Sequence, residues 1–385
     1  MPIALAMLAA VAIAGQLILN AAAATIGRGL GKYWTIFTTG FDFWPIWRED
    51  RYWINGQHAP YWYGKGISDA WPPPHEVAFA PLSLLSFEAA HIVTIGMCAV
   101  LMVVALLLWA KRDGSRAFGA AVWPVMLSAP VFAVVWIDQL QSVTGLFALS
   151  LALWAQRKNL WWLVGPAAAF GVIRVPNAIP VLAMLLLGGW GRWRQLGIAL
   201  LAGFLFMTPM MLVAFLWDPH WITDYIAGIN SYPFNGAPKL ASHSFGYGGL
   251  ATLVVVGSAA ALWLVRRDVG RPLDPGRAAL GMALTVVIAP LGGLYSAIFV
   301  LPALIQLGLR RGFWIVPWIA AAGPWLVIVA VSPLLLGPDP VLTLNYVSFI
   351  DYGLLLLAYP LFRIAPGADV SHVPWRVPRP RAATG

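Results

Sequence analysis

Apolar runs of roughly 15–25 residues recur from one end of this chain to the other, and the longer ones can each cross a hydrocarbon layer about 30 Å thick. Clothing so many runs inside one soluble core would take far more polar sequence than the chain has. Of its 385 residues, 60% are hydrophobic and only 10% are charged, against about 25% in average soluble domains. Helices satisfy their own backbone hydrogen bonds in lipid, so the pattern predicts an all-α polytopic integral membrane protein. Hydropathy places about twelve hydrophobic segments, near residues 3–25, 86–110, 118–137, 141–156, 160–173, 177–190, 195–217, 248–265, 278–293, 296–309, 313–333 and 344–362. Residues 1–365 read as a single transmembrane domain without internal repeats. A Pro- and Arg-rich cytoplasmic tail at 366–385 is expected to be disordered near anionic lipid. Residues 1–25 read as a retained first helix, since no basic stretch precedes an apolar run longer than the usual signal-peptide core of about 7–15; the alternative is a signal peptide cleaved near the small residues Ala22 to Ala24.

The net charge of +9 is distributed as topology rather than as a nucleic-acid footprint. With the N-terminus in the cytoplasm, every second connection is basic, and 17 of the 24 Lys and Arg residues fall on that side. Eleven of the 15 acidic residues lie outside or at outer helix ends. The topological rule concerns Lys and Arg alone, so the acidic bias points to function on the outer face.

Two outer loops, 26–85 and 218–247, hold most of the polar material. Within the first, Phe43 to Ile54 has helical periodicity rich in Trp and Tyr, as expected of a helix lying at the membrane interface. Segments 160–173 and 177–190 are too short to span alone, and Arg174-Val175-Pro176-Asn177 lies between them. The pair 278–293 and 296–309 is similarly short around Gly292, Gly293 and Tyr295. Such pairs suggest a cavity or a thinned outer face, where charge is tolerated.

Asp42, between two phenylalanines, suits a general base, because desolvation raises a carboxylate pKa; it suits an N-cap of the interfacial helix equally well. Arg174 cannot lose its charge and suits phosphate; the alternatives are snorkelling to headgroups or pairing with Asp138. Asp138, Gln139 and Gln141 form a polar turn that could bind sugar hydroxyls or simply be wet. Tyr295, Ser296, His243 and Ser244 are weaker candidates. His58 and His75 lack recognisable metal-ligand spacing, and the single cysteine, Cys98, argues against a cysteine-built metal site, so neither metal nor cofactor is expected. The chain has no Walker A loop, Rossmann turn, His-Glu-x-x-His or Gly-x-Ser-x-Gly elbow. Any group transfer on the outer face must then use a donor delivered by the membrane.

The order of motifs resembles the polyprenol-phosphate-sugar-dependent transferases of the GT-C superfamily, and in particular glycosyltransferase family 87. Asp42-Phe43 is similar to that family's Asp-Phe pair in the first outer loop. Asn55-Gly56, Ala70-Trp71-Pro72-Pro73 and Ala80-Pro81-Leu82 follow where its Gly-containing and Pro-rich stretches lie. Asp138-Gln139 stands where the family has Gly-Gln, with Asp138 replacing the glycine. Arg174-Val175-Pro176 stands for Lys-x-x-Pro, one residue nearer its proline. Arg192-Trp193-Arg194 matches a basic-aromatic cytoplasmic stretch, and Tyr295 in Ala289-Pro290 to Tyr295-Ser296 takes the place of a usual histidine. The likeness runs over most of residues 35–310.

The resemblance implies inverting transfer of a hexose, by family habit mannose, from a polyprenyl-phosphate sugar to a lipid or glycan acceptor. It makes Asp42 the base, Arg174 the donor-phosphate ligand with Tyr295 or His243 beside it, and Glu76, His58 and His75 the residues that orient the acceptor. Expected partners are membrane lipids, the lipid-linked donor and the acceptor, not nucleic acid. The expected location is a bacterial plasma membrane, with the site outside and both termini cytoplasmic. A non-catalytic scaffold subunit and a lipid-linked sugar transporter or flippase are the rival readings; the latter should show related halves, and none is visible.

Overall fold

The computed structural model describes residues 43–55, 72–110, 138–225, 254–288 and 297–309, with isolated positions at 125–135 and 252. Every described element is helical. They are α1 (Trp44–Ile54), α2 (Pro73–Glu76), a 3₁₀ turn (Ala80–Leu84), α3 (Phe87–Ala110), α4 (Leu140–Arg157), α5 (Trp161–Gly171), a 3₁₀ turn (Val172–Arg174), α6 (Val175–Gly188), α7 (Trp193–Trp217), a helix at 254–265, α8 (Pro275–Ile288) and α9 (Leu301–Gly308). Eight of the expected hydrophobic segments coincide with these helices. Segments 3–25, 313–333 and 344–362 and the tail at 366–385 lie outside the described residues.

α3 and α7, with 24 and 25 residues, are about 36 Å long and exceed the hydrocarbon thickness. Their most apolar stretches are only 33% and 17% buried by the chain itself. Ile92 and Val100 on α3, and Leu200, Leu201, Phe204 and Leu216 on α7, lie exposed. Both helices are thus long and apolar enough to cross a membrane and present apolar surface outward.

α4 is the axis of the bundle. Leu140, Val143, Leu146, Leu149 and Leu153 are wholly buried, and Gly145, Ala148 and Ala152 let neighbours approach. A Cβ on Gly145 would come within 2.9 Å of the Arg174 Cβ. α3, α5 and α6 pack around α4, and α8 and α9 close the far side. At the end of the bundle where α4 finishes, Gln156 donates to the Arg271 carbonyl (3.1 Å) and accepts from the Leu273 N–H (3.0 Å). Asp268 receives both Nη2 and Nε of Arg277 (2.5 and 3.2 Å), while Asp274 accepts from the Arg277 N–H and so caps α8. These two carboxylates, on the side where acidic residues are scarce, thus have structural partners.

α5 and α6, with 11 and 14 residues, are about 17 and 21 Å long, so neither spans. Their junction, the 3₁₀ turn that ends at Arg174, is the break expected from the sequence.

Candidate functional site

The start of α4, the end of α5 and the start of α6 meet at one end of the bundle, and α2 packs against α5 and α7 there. This junction gathers His75, Glu76, Asp138, Gln139, Gln141, Arg174 and Asn177. Asp42, His58, His243 and Tyr295 lie outside the described residues. Phe43, covalently next to Asp42, is 1% exposed, with its ring 6.3 Å from Phe87.

Phe43, just before α1, and Ile46 and Asp50 on it are buried at helical spacing, while Arg51, Tyr52 and Ile54 face out. Trp47 donates its indole N–H to the Leu85 carbonyl (3.2 Å), and Arg51 lies 5.1 Å over its ring. Phe87 links this helix to the site: its ring contacts Trp47 edge-on and stacks on His91 at 5.8 Å.

Asp138 adopts a left-handed backbone conformation (φ 61°). Glycine is the residue best suited to that conformation, and aspartate is one of the few others that tolerate it. The Asp138 carboxylate is fully buried and turned toward α3, where His91 Nδ1–H (3.1 Å), the Thr94 hydroxyl and Cys98 Sγ (3.5 Å) donate to it. In the fold this carboxylate clamps two helices and makes no ion pair with Arg174. Gln139 likewise caps α4, its Oε1 accepting from the Ser142 hydroxyl (3.2 Å) and, more loosely, the Ser142 N–H (3.4 Å). Sequence reasoning passed over His91, Thr94 and Cys98 as partners. Their spacing of three and four residues puts them on one face of an apolar helix, which was the available signal.

Arg174 is half-buried, and its Nη1 donates to Gln141 Oε1 at 3.3 Å. Gln141 Nε2 in turn donates to the Ile173 carbonyl at 2.8 Å. One neutral amide thus ties the turn to the cation it carries. Asn177, on the next turn, is 5% exposed, and its Oδ1 has no hydrogen-bond partner among the described residues. Among those residues no cluster of three or more His, Cys, Asp or Glu could hold a metal.

His75 and Glu76 are buried (3% and 2%) rather than turned to an open face. The His75 ring tilts against Phe170 at 5.5 Å, and its Nε2–H donates to the Ala169 carbonyl at 3.2 Å. Burial lowers its pKa to about 4 against the pull of the Ala169 and Pro72 carbonyls, so the ring is neutral at pH 7. Between about pH 6.5 and 4 the unfolded chain binds the proton more readily, and stability should fall with pH through that window by up to about 3 kcal/mol. His75→Phe should flatten that fall, as read from melting temperatures at pH 7 and pH 4.5. An unchanged slope would show that the ring is not buried neutral.

A family model, glycosyltransferase family 87, matches residues 70–291, more than half the chain and all of this junction from α2 through α8. No curated protein and no solved structure matches. Matched by that model over more than half its length, this all-helical chain belongs to glycosyltransferase family 87.

Proposed function

We propose that this enzyme transfers a hexose, mannose by family habit, from a polyprenyl-phosphate sugar to a lipid or glycan hydroxyl on the outer face of a bacterial plasma membrane. The observation that carries the reading is Arg174: a permanent cation, hydrogen-bonded by Gln141, at the break between two helices too short to span. A lipid phosphate entering sideways from the bilayer meets its charge without crossing bulk water.

In the proposed step the acceptor hydroxyl oxygen attacks the anomeric carbon, and the bond from that carbon to the phosphate oxygen breaks on the opposite face. Asp42 takes the hydroxyl proton, and the polyprenyl phosphate leaves with the electron pair, so configuration inverts. One carboxylate suffices, since no second nucleophile is needed. The leaving phosphate requires no strong acid; it requires a fixed positive charge, which Arg174 supplies. Tyr295 and His243 add hydrogen bonds to the phosphate in this scheme, and His58 orients the acceptor. His75 and Glu76 support the floor beneath it.

The test uses purified protein in nanodiscs with radiolabelled polyprenyl-phosphate-mannose and a membrane lipid extract, beside Asp42→Asn. Labelled lipid product from the wild type alone is the expected result. If neither protein consumes this or other polyprenyl-phosphate sugars, a scaffold subunit becomes the better reading. Equal turnover by both would remove Asp42 as the base.

A further inference from the structure

The opposite end of α5 and α7 carries a second constellation. α4 separates it from the Arg174 junction by its 18 residues, about 27 Å. There a shallow, open cavity of about 260 Å³ lies between the starts of α5 and α7, lined by Asn159, Trp161, Trp162, Arg194, Gln195 and Ile198. That is below the 300–1,000 Å³ or so of pockets for drug-sized ligands and fits a small polar group.

The lining donates more than it accepts. Asn159 holds a left-handed conformation (φ 58°), and its Oδ1 is occupied by the Trp161 indole N–H at 2.8 Å, which leaves the amide NH₂ as its free function. Arg194 is exposed and makes no ion pair among the described residues. From residue 139 to residue 217 the sequence has no Asp or Glu, and four of the five basic residues there (Arg157, Lys158, Arg192 and Arg194) lie at this end. The cavity therefore calls for an anion.

Its surroundings call for a lipid. Trp162, Trp190 and Trp193 are each more than half exposed around it, as indoles are at the headgroup level. Ile198, Leu201 and Leu205 continue from the cavity along one face of α7 and are also exposed. A polar cavity at the head of an apolar stripe matches the two parts of a phospholipid.

We propose that this cavity binds one anionic phospholipid, its phosphodiester and headgroup held by Arg194, Gln195 and Asn159 and one acyl chain lying along Ile198, Leu201 and Leu205. The site is independent of the transfer reaction. It ties the α5–α7 pair to the leaflet opposite the one that faces Arg174.

Native mass spectrometry of the full chain in detergent, titrated with dioleoyl phosphatidylglycerol, dioleoyl phosphatidylcholine or glycerol 3-phosphate, tests it. One phosphatidylglycerol should bind about tenfold more tightly than phosphatidylcholine, and glycerol 3-phosphate should not displace it. Arg194→Gln should weaken phosphatidylglycerol about fivefold to tenfold, Arg194→Lys should recover most of that loss, and Arg267→Gln, at an exposed arginine of another turn, should change nothing. Equal binding of both lipids, or wild-type affinity in Arg194→Gln, overturns the proposal. Displacement by glycerol 3-phosphate would make the site one for a soluble phosphate and overturns the lipid assignment.

Discussion

Valine at Gly165 should leave little or no folded protein. A Cβ at this position would overlap the Ala199 carbonyl oxygen and lie 2.7 Å from the carbon of that group and 2.8 Å from the Gly203 nitrogen. All three are backbone atoms of α7, so no side-chain rotamer relieves the clash. The crossing is reciprocal, since a Cβ on Gly203 would come within 2.9 Å of the Gly165 oxygen. In lipid there is little hydrophobic drive between helices, and close backbone contact through small residues supplies much of the association. Overpacking that side chains can absorb costs about 1–3 kcal/mol; forcing two backbones apart should exceed that range. The expected readout is loss of the monodisperse peak in fluorescence size-exclusion chromatography, with Gly165→Ala already lowering the melting temperature sharply. Gly197→Ala, where an added Cβ meets nothing within 4 Å, should be neutral or slightly stabilising. A Gly165→Ala protein that melts with the wild type would show that α5 and α7 do not cross this closely. The consequence for function is direct, because the same pair of helices carries the Phe170–Phe206 ring contact and the Ala169 carbonyl that receives His75.

This crossing also shows what a sequence of this kind conceals. Ala199-x-x-x-Gly203 is visible as a pair of small residues one turn apart, yet nothing local to α7 names Gly165, 34 residues earlier, as its counterpart. The same holds at Asp138. Its turn is legible, because a charge between two apolar segments cannot sit in either, but its donors are on α3, 40 to 47 residues away. Asp138 and Arg174 looked like an ion pair because both are charges near one boundary; the fold gives Asp138 to His91 and Thr94, and Arg174 to Gln141. The helix break at Arg174 and the two long helices α3 and α7 were readable for the opposite reason. Lipid enforces length and forbids uncompensated charge within a single segment, so those features are written locally. His75 shows the same limit: an outer-loop histidine reads as a ligand, and only the fold shows it buried against Phe170.

Arg174→Gln should lower kcat/KM for a polyprenyl-phosphate sugar by about 10²–10³, comparable to the loss of one preorganised donor at a developing oxyanion. The effect should fall on both parameters, which distinguishes it from the base. In the ground state the donor is a phosphodiester with one negative charge; as the anomeric bond breaks, a second accumulates on the departing oxygen. A fixed cation binds the first and stabilises the second more, so its removal weakens donor binding and slows the chemical step. Asp42→Asn, in contrast, should bind donor normally and fail only in turnover, because in the proposed step the carboxylate acts on the acceptor proton. Arg174→Lys should recover part of the loss, since a point charge replaces the guanidinium while the fork that also reaches Gln141 Oε1 is gone. Gln141→Leu provides the complementary test. It keeps the arginine but removes the amide that fixes it, and so should slow turnover more than it weakens binding. Single-turnover rates and donor affinity measured in nanodiscs separate these cases. An Arg174→Gln enzyme with wild-type kcat and KM would place the donor phosphate elsewhere, and the short helices α5 and α6 would then need another reason to break where they do.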